Sequence, residues 1–388
     1  RDFCLSRGLG DVYKRQAKRA LDRAMGQLGE AKAAKVADVM VLAERKEPRE
    51  THVLVRGVWD KPGEKVERGG LAAIAPLGVK DPSRADLARW LTSAEHPLTA
   101  RVLVNHLWQL CFGAGLVRTN EDFGLQGERP LHPELLDWLA VECVESGWDV
   151  KRLLRLMVTS STYRQSSRVS EEMLARDPEN RWLARGSRFR LPSWMLRDAV
   201  LRASGLLHGV LGGPPVKPYQ PEGVWEENFM GRFRYEPSEG VAQYRRTLYA
   251  FWRRSIAPTF LFDAAQRRSC EVRMPRTNTP LQALTLLNDE NYLEAARALA
   301  ADALTKEAPL REMGRRVLSR ELSGTETGIL ERERDRALAY YRGEPEAAAR
   351  FLGRGQFRAD PGLPAAELAA HAVVASLLFN LDEAITHE

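Results

Sequence analysis

Arg101, Asn105, Trp108 and Phe112 follow one another at intervals of four, three and four residues, which places them on one face of a helix. A face that mixes a cation, an amide and an indole is either a buried polar network or the wall of a ligand site. Just beyond it, Thr119-Asn120-Glu121-Asp122-Phe123-Gly124 gathers amide and carboxylate oxygens. Such groups close turns and cap helices, coordinate hard cations, or exchange protons. His132 and Glu134 flank Pro133 at the head of the next apolar run. An imidazole there could titrate near neutral pH and act as a base, with Glu134 or Asp137 orienting it, or it could cap and pack. The candidate catalytic residues are therefore Asp122, His132 and Glu134. The candidate ligand-binding residues are Arg101, Asn105, Trp108, Asn120 and Arg164, the last from the serine-rich run Ser160 to Ser167. A glycosidase-type carboxylate pair, about 5–10 Å apart, would draw first on Asp122, Glu134 and Asp198.

Other chemistries leave no trace. There is no G-x-S-x-G elbow, S-x-x-K, Walker loop, dinucleotide fingerprint, H-E-x-x-H or EF-hand loop. Gly113-Ala114-Gly115 is short and follows a helix instead of a strand, which makes it a weak phosphate cradle. The four cysteines, Cys4, Cys111, Cys143 and Cys270, show no zinc or haem spacing. Cys111 and Cys143 fall on apolar helix faces and read as small core side chains. No metal and no cofactor are expected in this chain. No window reaches the roughly 18 consecutive apolar residues that a membrane span needs.

The 388 residues carry 58 Lys and Arg against 52 Asp and Glu, a formal charge of +6. The excess is central: Val150 to Arg190 holds ten basic and four acidic residues. Arginine pairs stand at Arg245-Arg246, Arg253-Arg254 and Arg267-Arg268, with Tyr244, Tyr249, Phe251 and Trp252 nearby. One exposed stripe of these would suit a phosphate backbone or a sulfated or carboxylated polymer; paired with acidic neighbours they are a solvated face. Nucleic acid is the less favoured partner.

The elements needed to position these groups are mainly helices. Asp38 to Ala43 and Thr51 to Gly57 are β-branched and predict a hairpin around Pro48, with Trp59 to Gly70 as a loop. Apolar spacing of helical period begins after Pro82. Leu87 and Leu91, then Leu98, Val102, Leu103, Leu107 and Leu110, predict two helices broken at His96-Pro97, the second ending at Gly113. Pro133 opens a helix stopped by Gly147, Asp149 caps the next, and Arg190 to Leu207 predicts another. Gly209 to Gly240 is a long Gly/Pro segment whose Tyr219, Trp225, Phe229, Phe233 and Tyr235 imply an ordered loop. Thr279-Pro280-Leu281-Gln282 is a capping box. Residues 1–16 share no periodicity with the rest of the chain, and Asp11 to Gln16 looks like a translated sequencing-library transposon end, so they are expected to be a non-native leader. The expected organisation is that leader, a helical linker with a small β element over 17–81, and a mainly α, multi-helical domain over 82–388 with the long Gly/Pro loop.

Arg101 to Ala140, Thr159 to Ser167, Asp177-Pro178-Glu179-Asn180-Arg181, Arg188-Phe189-Arg190-Leu191, Gly212 to Val216, Tyr219-Gln220-Pro221, Arg276 to Leu284 and Asn380 to Glu383 occur in an order that resembles the planctomycete-type domain-of-unknown-function family 1553. The resemblance spans nearly all of Val36 to Glu388. It implies the C-terminal module of a larger exported bacterial protein, placed in the periplasm or at the cell surface, with upstream domains of the same polypeptide as partners. In many members one of those is a c-type cytochrome domain, so haem c would belong upstream. The family has no established reaction, and no catalytic residue carries over. His106 stands where the family usually has Arg, which weakens any anion-binding role at that position. The function expected is a binding or scaffold module for polysaccharide, anionic polysaccharide included, or for an envelope partner. The alternatives are a polysaccharide hydrolase using a carboxylate in 120–137, with a polar cleft where Asn105, Asp122, His132 and Arg164 converge, and nucleic-acid binding through the basic middle region.

Overall fold

The computed structural model describes Lys18, Leu21 and residues 40–47, 49–253, 255–264, 271–272 and 275–387. The expected leader, Cys4, Cys270, Pro48, Arg254 and Arg267-Arg268 lie outside the described residues, as does nearly all of the linker before Met40. The described chain is mostly helical with a small N-terminal sheet, and it divides into two compact units, residues 1–93 and 94–388.

In the first unit, β1 (Thr51–Leu54) pairs antiparallel with β2 (Pro62–Val66), with Thr51 opposite Val66 and His52 opposite Lys65. The hairpin thus runs forward from Thr51 rather than back across Pro48, and the predicted loop Trp59 to Gly70 contains its second strand. Local geometry decides this: Arg56 and Gly57 take left-handed φ of 51° and 73°, and Val55 N–H donates to Lys61 O at 3.0 Å, closing the turn. Helix α1 (Arg84–Leu91) starts at Ser83, which forms a reciprocal capping box with Asp86.

The second unit opens with α2 (Thr99–Phe112), α3 (Pro133–Glu145) and α4 (Val150–Thr159). Gly113 ends α2 at φ +81°, Pro133 sits in the first turn of α3, and Asp149 accepts from Arg152 N–H at 3.0 Å to cap α4. These helices enclose one core built on Val104, Leu107, Trp108, Leu139, Cys143 and Leu153. The buried side of α2 is the Val104/Leu107/Trp108/Cys111 stripe, while Val102 and Leu110, which help to carry its helical period, are 39% and 49% exposed. Burial pushes the Cys111 and Cys143 thiols up, in keeping with inert core side chains.

The chain then forms α5 (Glu171–Arg176), β3 (Phe189–Arg190), α6 (Ser193–Ala203) and α7 (Val224–Asn228). The helix expected from Arg190 begins only at Ser193, because Pro192 holds the preceding residue extended and Phe189–Arg190 pairs with a C-terminal strand instead. The Gly/Pro segment is ordered around Trp225, fully buried and ringed by Phe229, Phe233, Tyr235 and Phe251. The second core joins α6 to α8 (Pro280–Asn288), α9 (Glu290–Ala303), α10 (Pro309–Leu318), α11 (Gly324–Gly343), α12 (Pro345–Leu352) and α13 (Ala365–Phe379). Alanines 295, 296, 300 and 303 of α9 and 369, 370, 372 and 375 of α13 are all fully buried, so these two helices pack through small side chains at the centre. Helix α14 (Asp382–Ile385) and β4 (Thr386–His387) bring the chain back to β3, with Phe189 opposite His387.

Candidate functional site

The polar face of α2 is a buried network. Asn105, 1% exposed, donates through Nδ2 to Val117 O at 2.9 Å and to Asn120 Oδ1, and accepts Val117 N–H at 2.8 Å. Asn120 in turn donates to Gln109 Oε1. The amides therefore bind the loop after α2 to the helix and are fully engaged. Gly115 sits against them: a Cβ there would lie 2.6 Å from Asn105 Nδ2. Arg101 pairs with Asp137 of α3 at 2.6 Å, which holds the Asp137 carboxyl below its ordinary range. Asp122 closes an Asx turn onto Gly124 N–H at 2.7 Å. Glu134 and Arg164 are exposed.

Of the candidates, Trp108 and His132 line a common cleft of about 420 Å³, whereas Asn105, Asp122, Glu134 and Arg164 do not. One wall is Gly113 to Leu116, held from behind by the Asn105 network. The opposite wall is the segment from Pro178 to Phe189. That segment is folded by Asp177, 8% exposed, which accepts Arg181 N–H at 2.8 Å and Trp182 N–H at 2.9 Å. Asn180 and Leu183 take left-handed φ of 51° and 55°, and Asn180 Nδ2 donates to Arg185 O at 2.8 Å. His132 Nε2 lies 3.3 Å from Arg181 O, an oxygen that can only accept.

Five arginines face this cleft, Arg118, Arg181, Arg185, Arg188 and Arg276, against one carboxylate among the described lining residues, Glu179. Arg118 pairs with Glu179, Arg181 with Glu128 and Arg188 with Asp382. Arg276 donates to Gly113 O at 2.8 Å and stacks over Phe189 at 4.4 Å. An aromatic chain supports the walls: Trp108 stacks on Phe112 at 3.9 Å, Phe112 meets Tyr163 edge-on at 5.6 Å, and His387 both bonds Tyr163 Oη at 2.8 Å and stacks on Phe189 at 4.9 Å. Planar guanidiniums, one of them stacked on Phe189, form a surface suited to carboxylate, sulfate or phosphate oxygens.

A family model described as PSD1, protein of unknown function (DUF1553), matches residues 83–333, well over half of the chain. The chain belongs to the DUF1553 family. No curated protein and no solved structure matches it. In this DUF1553 chain the matched span holds every cleft residue, while Asp382 and His387 reach the site from beyond it. The cleft arginines escape the spacing argument. Arg181, Arg185 and Arg188 fall within the surplus of basic residues from Val150 to Arg190, whereas Arg118 and Arg276 lie outside it and occur only within the family-like motifs, far apart along the chain.

The arginine pairs of the basic middle region do not form one exposed stripe among the described residues. Arg245 is buried, stacked on Tyr249 at 3.8 Å and donating to Pro214 O at 2.9 Å and Val210 O at 3.1 Å. Arg253 lies over Phe229 at 5.2 Å.

Asp177 gives the site a pH dependence. Burial works against its charge, but the bonds from the Trp182 and Arg181 amides outweigh it and hold its pKa below the ordinary value. A depressed folded-state pKa means that the contribution is complete above the unfolded value, about 3.9. It is lost as pH falls through the lower folded-state pKa. The Arg181 and Trp182 amide resonances are expected to titrate together, with a midpoint below that of a free aspartate. A midpoint at or above it would show that Asp177 does not organise this wall.

Proposed function

We propose that this chain is a binding module whose cleft takes an anionic polysaccharide, one carrying carboxylate or sulfate groups, within a larger extracytoplasmic protein. The observation that carries the reading is the gathering of five guanidiniums in a single cleft, three of them held by Glu179, Glu128 and Asp382 and one, Arg276, stacked on Phe189. Arginine forks match the paired oxygens of carboxylates and sulfates, and a ring such as Phe189 offers apolar surface to a sugar's C–H face. The Arg118–Glu179 pair leaves further Arg118 N–H groups for a ligand, since a guanidinium has five donors.

The test is thermal unfolding with polygalacturonate, dextran sulfate and neutral dextran. The anionic polymers should raise the midpoint, because a ligand that binds only the folded state stabilises it. The double variant R118Q/R188Q should bind about tenfold or more weakly, since removing charged groups from a binding surface slows association and reduces its salt sensitivity. Equal shifts with neutral dextran, or undiminished binding by the double variant, would refute the assignment. Duplex DNA of equal charge should compete poorly; competition with a steep salt slope would make the site a general polyanion surface.

A further inference from the structure

Helix α13 is apolar on nearly every side, a pattern that calls for cover all round. Val373 and Leu377, one turn apart on it, are nevertheless only half-buried. They border a hollow of about 470 Å³ where α8, α9, α11 and α12 meet α13, walled also by Leu287, Leu293 and Phe351. Small-molecule sites occupy about 300–1,000 Å³. Tyr341 extends the wall, its ring within 4° of parallel to Phe351 at 6.0 Å between centroids. None of the lining is shared with the arginine cleft.

Three polar side chains interrupt this lining. Asn288 is engaged, its Nδ2 donating to Leu284 O at 2.8 Å. Ser376 is not. A hydroxyl within a helix commonly bonds the carbonyl one turn back, as Thr285 does with Leu281 O at 2.9 Å. Ser376, 7% exposed, leaves its Oγ without a hydrogen-bond partner among the described residues. That oxygen is not sealed in the core and keeps accessible surface. Arg354 is the one charged side chain among the described lining residues, and its exposed guanidinium has no acceptor among them. Its backbone is fixed: Arg297, 2% exposed, donates to Leu352 O and Arg354 O.

We propose that this hollow binds a small hydroxyaryl carboxylic acid, its ring against Tyr341, Phe351, Val373 and Leu377, its hydroxyl on Ser376 Oγ and its carboxylate on Arg354. Each observation limits the ligand. An apolar, ring-lined wall disfavours a sugar or a bare anion, whose polar groups would lose water without gaining partners. A guanidinium with no carboxylate beside it in the lining selects an anionic head over an amine. A ring hydroxyl supplies the partner that the helix does not give Ser376, and an aromatic body stacks on rings where an acyl chain cannot. The proposal stands whether or not the arginine cleft binds polyanions.

Isothermal titration of the full chain with para-hydroxycinnamate, cinnamate, para-hydroxycinnamyl alcohol and octanoate tests it. Para-hydroxycinnamate should bind most tightly, cinnamate about fivefold more weakly for its missing hydroxyl, and the alcohol about tenfold or more weakly for its missing charge. Octanoate, which keeps the carboxylate and lacks the ring, should also bind more weakly. R354Q changes an exposed side chain and should remove the advantage of the acid over the alcohol. S376A should remove the advantage of para-hydroxycinnamate over cinnamate. R118Q/R188Q should leave all four affinities unchanged. The proposal is overturned if para-hydroxycinnamate does not bind, if any of the other three matches it, or if either advantage survives its variant. Binding lost in R118Q/R188Q would overturn it too, by placing the acids in the arginine cleft.

Discussion

Arg197→Ala is expected to lower the stability of the folded chain by roughly 3–5 kcal/mol, the range for breaking a buried charged network. Arg197 is 1% exposed, on the inner side of α6. Its guanidinium donates to Gln243 O at 2.8 Å, Arg245 O at 2.9 Å, Thr247 Oγ1 at 3.3 Å and Asn291 Oδ1 at 3.2 Å, and it lies 5.0 Å over the Phe260 ring. Burial disfavours its charge and lowers its pKa, opposed first by Asp198. The neighbouring Asp198 accepts both the amide and the hydroxyl of Thr247 at 2.7 Å, so the two side chains together fix the segment from Gln243 to Thr247 onto α6. Alanine would leave two buried carbonyls without donors and a cavity the size of the side chain. Chemical denaturation measures the loss. Arg197→Lys should recover less than half of it, because one ammonium cannot span four acceptors in fork geometry. A change within about 1 kcal/mol for the alanine variant would show that water replaces the guanidinium at little cost.

Helix ends are the most legible part of this fold. Gly113, Pro133, Asp149 and the Thr279/Gln282 box act within one turn, so the residue types that satisfy orphan backbone groups are visible locally. The facing of α2 is less legible. Its leucines and valines carry the period, but Val102 and Leu110 point outward while Asn105 and Gln109 are buried. Apolar spacing cannot reveal that a loop further along the chain supplies hydrogen-bond partners for two amides, and without those partners the amides belong at the surface. The hairpin pairing fails for a similar reason: β-branched content marks Thr51 to Leu54 as strand, while the left-handed Arg56-Gly57 turn chooses its partner.

The candidate site is legible only in part. Trp108 and His132 do line the cleft, but its charge comes from Arg118, Arg181, Arg185, Arg188 and Arg276, which only the tertiary fold assembles. Spacing arguments find groups that share one helix face. They are blind to a wall made from the loop after α2, the turn around Asp177 and an arginine from a distant part of the chain. Asn105, read as ligand wall or buried network, and Asn120, read as a turn-making or ligand-binding group, are bonded to each other in a buried network. Their influence on the cleft is by position: they hold Gly113 to Val117 in place from behind.

Asn105→Ala separates those two roles. It removes both partners of Val117 and one of Asn120, all buried, and should destabilise the chain by about 3 kcal/mol, or roughly 6–12 °C in the unfolding midpoint. Amide exchange from Leu116 to Asn120 should accelerate, and affinity for an anionic polymer should fall with it, since the wall carrying Gly113 and the Arg276 anchor loosens. Asn105→Asp retains the acceptor for Val117 N–H but points a second oxygen at Val117 O and Asn120 Oδ1, so it should be at least as damaging despite its similar shape. A residue that touched ligand directly would give the reverse pattern, binding lost at unchanged stability and protection. That outcome would return Asn105 to the binding surface, while a joint fall in stability, protection and affinity would establish that the cleft depends on a buried amide relay contributing no atom to its lining.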